Sequence, residues 1–163
     1  MLDRMAEDYT QIDLSYLEGI AEGDKDIIKE LVEIFLDQMP EFTDGFAESM
    51  RDKDWVKVAA IAHKAKSSVM SMGMEELGNV DLKNMELLAK QLRINELSDK
   101  ESITDAQKDE VNTLQRSLDS YPENRITWVV DNASKDKLEE LINKFTAVCN
   151  VAVEELNKEI STY

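Results

Sequence analysis

Apolar residues recur at intervals of three and four along four long stretches of this chain, and that period constrains its fold more than any other feature. The clearest run is Leu138, Leu141, Ile142, Phe145, Val148, Cys149, Ala152, Leu156 and Ile160. A second comprises Ile28, Leu31, Val32, Phe35, Met39, Phe42 and Phe46, a third Trp55, Val58, Ala62, Ala65, Val69 and Met72, and a fourth Leu77, Val80, Met85, Leu88 and Leu92. Such spacing draws one apolar stripe along one face of an α-helix. Four one-sided helices bury their stripes against each other, so the pattern predicts an all-α, antiparallel four-helix bundle. Only five Gly and two Pro occur in 163 residues, which leaves little room for long irregular connections.

Capping chemistry sets the expected boundaries. Residues 9–22 read as a short N-terminal helix bearing Ile12, Leu14, Leu17 and Ile20. Gly23-Asp24 supplies a turn and an N-cap, since the Asp side chain accepts from free N–H groups of the first turn. Pro40 inside the second helix removes a hydrogen bond and predicts a kink. Residues 52–54 (DKD) cap a third helix running to about Met72, Gly73 is its C′ residue, and a fourth helix starts near Glu75. Residues 95–134 break the rhythm with a polar helix-like stretch (104–119), then YPEN, then the β-branched ITWVV. Ser134 or Asp136 caps the closing helix. The expected organisation is one domain over 1–163: residues 9–94 for the first helix and three bundle helices, 95–134 as an insertion, and 135–162 as the closing helix. The insertion is expected to pack away from His63.

Charge narrows the function. A net charge of −16 disfavours nucleic acid and anionic membrane as partners, because binding either needs a basic surface. Cys149 is the only cysteine, so neither an intramolecular disulfide nor a cysteine metal cluster is expected, and no metal site is predicted. No N-terminal run resembles a signal peptide, and no apolar stretch approaches the ~20 residues of a membrane span. The expected location is cytoplasmic.

The chain has one histidine, His63, on the third helix. At about 100° per residue it points about 140° away from the centre of Val58, Ala65 and Val69, toward solvent. Ala59, Ala60, Lys66, Ser67 and Met70 share its face. Small neighbours leave the imidazole standing proud, accessible to a body as broad as another protein, and Lys66 lies one turn on. Residues 51–66 hold five basic side chains (Arg51, Lys53, Lys57, Lys64, Lys66) against two acidic ones (Asp52, Asp54), a local excess of positive charge on an acidic chain. Such a surface suits an anionic group held transiently. Lys64 lies about 100° around the helix and reads mainly as a solvated residue. Ser68 reads as a packing serine, Cys149 as an inert core thiol, and Met72 and Met74 as core and junction. Met70 reads equally as docking surface or core edge, and Trp128 as satellite core or partner contact.

The run AHKAKSSVMSMG, Ala62 to Gly73, resembles the signature of the histidine-containing phosphotransfer (HPt) family, in general form AHxLKGSSxxxG. His63, Lys66, Ser68 and Gly73 match it, while Ala65 replaces the usual Leu and Ser67 the usual Gly. The segment Ile12–Glu41 is similar to the first two helices of bacterial members, a proline near the middle of the second included. The resemblance covers about residues 10–92, and the last helix is similar to the family's closing helix.

The resemblance implies a phosphorelay intermediate. His63 would accept a phosphoryl group from a receiver-domain aspartyl phosphate and pass it to another receiver, with no kinase activity of its own. Lys66 would counter the phosphoryl charge, and Ala59, Ala60, Ser67 and Met70 would form the docking surface. The implied partners are response-regulator receivers, those of hybrid histidine kinases included. No intrinsic cofactor is implied, and Mg2+ is expected on the receiver. Attack requires a neutral imidazole, and free histidine side chains, with a pKa of about 6.5, are mostly neutral at pH 7. The transition state spreads negative charge over three oxygens, so positioning and electrostatics dominate. Two other readings stay open: a non-catalytic HPt-like module that binds a receiver or partner helix without carrying phosphate, and a carboxylate-based hydrolase, for which no Gly-rich or strand-end context is present.

Overall fold

The computed structural model describes residues 9–163, so the first eight residues of the expected domain, and the expectation that no leader occupies them, lie outside what is described. Helix α1 (Ser15–Ile20) is shorter than expected and follows an extended strap. Asp24 caps α2 (Lys25–Arg51), its carboxylate accepting from the N–H groups of Asp26 and Ile27. Helix α2 continues unbroken through Pro40. Asp54 caps α3 (Trp55–Ser71) by accepting from Lys57 N–H, and Gly73 ends it at φ +83°. A π-helical turn (Leu77–Leu82) leads into α4 (Lys83–Ser98). Helices α5 (Asp105–Asp119) and α6 (Glu123–Asn132) precede α7 (Lys135–Ile160), which Ser134 caps through Lys137 N–H.

The architecture is all-α. Helices α2, α3, α4 and α7 form the bundle: α3 packs on α2 and α4, and α7 closes the ring against the same two. The predicted stripes line its core, where Phe46 meets Phe145 edge-on at 5.4 Å between ring centroids. Residues 99–134 are largely helical. A capping box at Thr104 and Gln107 starts α5, and ITWVV lies inside α6 despite its β-branched residues. Helices α5 and α6 form a hairpin laid along α4, burying Leu118 and Val129 in the common core; Trp128 packs partly buried against it beneath Arg125. Local helix propensity is a weak prior, and packing on α4 overrides it.

Two expectations about phase fail, each for an identifiable reason. Val80 is 45% exposed rather than core. The π turn adds a residue to the helical repeat and rotates the chain, so Asp81 and Leu82 point inward instead. Buried Asp81 is paired with Lys144 of α7 at 3.0 Å. Ala59, expected beside His63 on the open face, is buried at 9% exposure. Helix α3 packs against α2, the π turn and α4, so its apolar arc is wider than the stripe of Val58, Ala65 and Val69. Among the described residues, no helix is long and apolar enough to cross a membrane.

Candidate functional site

Midway along α3, the His63 side chain is 74% exposed, as its helical phase predicts. It stands at the edge of a groove of roughly 900 Å³ shared with Lys64, Lys66, Ser67 and Met70. The opposite wall is the N-terminal strap and the start of α1, where Asp13 and Tyr16 face the same space. Two contacts hold that wall in place. Asp13 N–H donates to Met72 C=O at 2.9 Å, and Gly73 sits so close beneath that a Cβ there would run into the Asp13 backbone. At the far end, the Glu155 carboxylate of α7 accepts from the N–H groups of Thr10, Gln11 and Ile12.

The floor of the groove depends on the π turn. Met70 is half-buried and seated on Gly78, where an added Cβ would lie 2.6 Å from Met70 Cγ and 3.3 Å from Lys66 O. Met70 is therefore both core edge and groove lining. Ser67 is exposed, with its hydroxyl turned back to Lys64 C=O at 3.4 Å rather than into the groove. Ala60 is exposed, and Ser68 donates to Gln38 Oε1 on α2 at 2.9 Å, a packing role.

The positive charge expected here is mostly neutralised. Lys64 pairs with Glu41 at 3.0 Å, Lys57 with Glu48 at 3.5 Å, and Arg51 lies 3.9 Å from Asp52. Lys66, half-buried in the groove, has no carboxylate partner among the described residues. It is the cation left for an incoming anion.

One feature was missed by sequence reasoning: Glu86 on α4, whose Oε1 lies 3.3 Å from His63 Nδ1. The Glu86 side chain is 8% exposed and flanked by Lys83 at 3.9 Å and Lys90 at 3.1 Å. Burial alone would raise its carboxyl pKa, but the hydrogen bond and charge of Lys90, the charge of Lys83 and the bond to His63 hold it below the ordinary 4.5. A sequence signal existed. In KNMELLAK a single acid stands among apolar residues, with a lysine one turn to either side. Among the described residues, no group of three or more His, Cys, Asp or Glu side chains is arranged to hold a metal ion.

A family model described as Hpt domain matches residues 30–117, more than half of the chain, from the first turns of α2 through most of α5. The chain belongs to the Hpt domain family. The match takes in His63, Lys66 and Glu86, runs further into the inserted hairpin than the sequence resemblance did, and stops short of α6 and α7. No curated protein and no solved structure matches the chain. Hpt domains carry out histidine phosphotransfer in phosphorelays and interact with receiver domains of two-component systems.

Proposed function

We propose that His63 is the phosphoryl acceptor of a phosphorelay intermediate, taking the group from one receiver-domain aspartyl phosphate and giving it to another. The observation that carries this reading is the pairing of an exposed imidazole with a buried carboxylate on Nδ1. An ionised carboxylate only accepts, so Nδ1 holds the proton and the lone pair sits on Nε2, the nitrogen left for attack.

In the forward step Nε2 bonds to phosphorus in line as the P–O bond to the receiver aspartate breaks, and the electron pair leaves on that carboxylate. The ring gains positive charge while Nδ1 keeps its proton. Glu86, 3.3 Å away, offsets that charge, and Lys66 faces the equatorial oxygens from the groove. The receiver contributes Mg2+. Transfer to a second receiver reverses each step.

Ala60, Ser67 and Met70 supply the docking surface; Ala59, being buried, does not. Tyr16, 58% exposed, extends this surface across the strap, and exposed Ile20 and Ile34 continue it as an apolar crescent beside the groove. An apolar patch bordering a reactive group fits a protein partner. Ser67 in place of glycine is compatible with docking, because its hydroxyl folds back on its own helix.

The test is transfer from acetyl-phosphate-charged receivers, with magnesium, to the wild type and to His63→Gln. Acid-labile, base-stable label on the wild type and none on the variant is expected. Absence of label on both, across several receivers, replaces this reading with the non-catalytic binding module.

A further inference from the structure

The inserted α5–α6 hairpin was expected to pack away from His63. It contributes no side chain to the groove, but its tip reaches the two lysines that hold Glu86. Lys90 Nζ, 3.1 Å from Glu86 Oε2, also donates to Ser117 Oγ of α5 at 3.2 Å. Lys83 Nζ, 3.9 Å from Glu86 Oε1, lies 5.0 Å from the centre of the Tyr121 ring. Arg125 of α6 donates to Asn84, the residue between them in the first turn of α4, which pins the tip there.

We propose that Ser117 and Tyr121 are positioning residues of the phosphoacceptor site: they hold Lys90 and Lys83 against Glu86, and through that carboxylate keep the Nδ1 proton in place and Nε2 of His63 bare. The inference rests on the reading of His63 as acceptor.

The physical argument turns on what a lysine does unaided. Its ammonium is a compact charge on a flexible stem with three donors, and water competes for it. Here each ammonium has a second partner from the hairpin: a hydroxyl that accepts from Lys90, and a ring face that attracts Lys83 by cation–π interaction. Both lysines are thereby held on the carboxylate rather than swinging into solvent. Without them Glu86 would sit buried with too few partners, and it would turn outward or give up the imidazole. The hairpin packs on α4 and none of its residues lines the groove beside His63, so its effect is exerted through Glu86 on the imidazole.

His63 is the only histidine, so its ring nitrogens give one unambiguous set of 15N signals in the full chain. The charged groups around it are Glu86 with Lys83 and Lys90 from α4, Lys64 and Lys66 on its own helix, and Asp13 and Glu75 lining the groove; the test variants alter none of them. In the neutral ring of the wild type, the Nδ1–H form should dominate. Ser117→Ala with Tyr121→Leu should move the signals toward a tautomer mixture and slow single-turnover transfer by roughly threefold to tenfold, with receiver affinity unchanged. Tyr121→Phe, which keeps the ring, and Ser117→Thr, which keeps the hydroxyl, should restore the wild-type tautomer. Should the double variant fail to fold, Ser117→Ala alone carries the test, since it removes one half-buried hydroxyl. Wild-type tautomer balance in a folded Ser117→Ala or double variant overturns the proposal, as does a shift equally large in the conservative pair. The spectrum is recorded without a receiver, so failure here is separate from failure of His63 to carry phosphate.

Discussion

Glu86 and His63 lie on adjacent bundle helices and meet at 3.3 Å, the carboxylate nearly buried and the imidazole largely open. The pair divides labour between the two nitrogens of one ring. Nδ1 faces protein and Nε2 faces whatever docks. The carboxylate in turn is the common partner of Lys83 and Lys90.

Glu86→Gln should therefore act on stability and on chemistry together. It removes the one negative charge between two half-buried ammoniums, leaving like charges facing each other, at a cost of about 1–3 kcal/mol. Chemical denaturation should show the loss. Because the folded-state pKa of Glu86 lies below 4.5, its contribution is present above that pH and fades as pH falls through the lower folded value, so wild type and variant should converge in strong acid. A constant stability gap down to strong acid would show that the lysines do not stabilise the ionised form.

Glu155 should control the strap that walls the groove. Its carboxylate accepts from Thr10, Gln11 and Ile12, and these bonds outweigh burial to hold its pKa below 4.5. In Glu155→Ala those three amides should exchange with solvent much faster than in the wild type, at a stability cost of about 1–2 kcal/mol. In the wild type the same amides should lose protection as pH drops below the folded pKa of the carboxyl. Unchanged exchange in the variant would mean that the contacts of Asp13 with Met72 and Gly73 and the Tyr9–Glu159 hydrogen bond hold the strap without Glu155.

Much of this was legible in the sequence because it follows from period and capping. The stripes of α2, α3 and α7, the caps at Asp24, Asp54 and Ser134, the C′ glycine at 73 and the exposure of His63 all rest on local rules. Four features were not legible, and each depends on non-local contacts. The π turn at Leu77–Leu82 is stabilised by what surrounds it, namely Met70 over Gly78 and Asp81 on Lys144, and no propensity announces it. Ala59 is buried because three elements crowd α3. The local positive excess was read from α3 and its cap, whereas Glu41 and Glu48, which pair with Lys64 and Lys57, lie on α2. ITWVV is helical because α4 offers it an apolar face.

Gly78→Ala tests the coupling between the π turn and the groove. The new Cβ would meet Met70 Cγ at 2.6 Å, and Lys66 O at 3.3 Å bars escape toward the helix backbone. Met70 must lift into the groove, at a cost of about 1–2 kcal/mol. Receiver affinity should weaken while the His63 ring signals stay as in the wild type. Affinity unchanged in the folded variant would remove Met70 from the docking surface.

Lys66 and Lys64 separate a local cation from a general positive field. Both flank His63, but Lys64 is engaged 3.0 Å from Glu41 at the surface, whereas Lys66 lies half-buried in the groove without a carboxylate partner among the described residues. A surface ion pair is worth little and is readily rearranged, so Lys64→Ala should change transfer by no more than about twofold. Lys66→Ala should slow single-turnover transfer about tenfold, since it withdraws the one charge positioned to meet the equatorial oxygens. Neither substitution should move stability by more than about 0.5 kcal/mol, because neither side chain is in the core. Added salt should narrow the difference between wild type and Lys66→Ala only in part, as a cation within a docked groove is shielded from mobile ions. Equal slowing by the two alanines, abolished by salt, would assign the effect to the overall field of α3 and take Lys66 out of the mechanism.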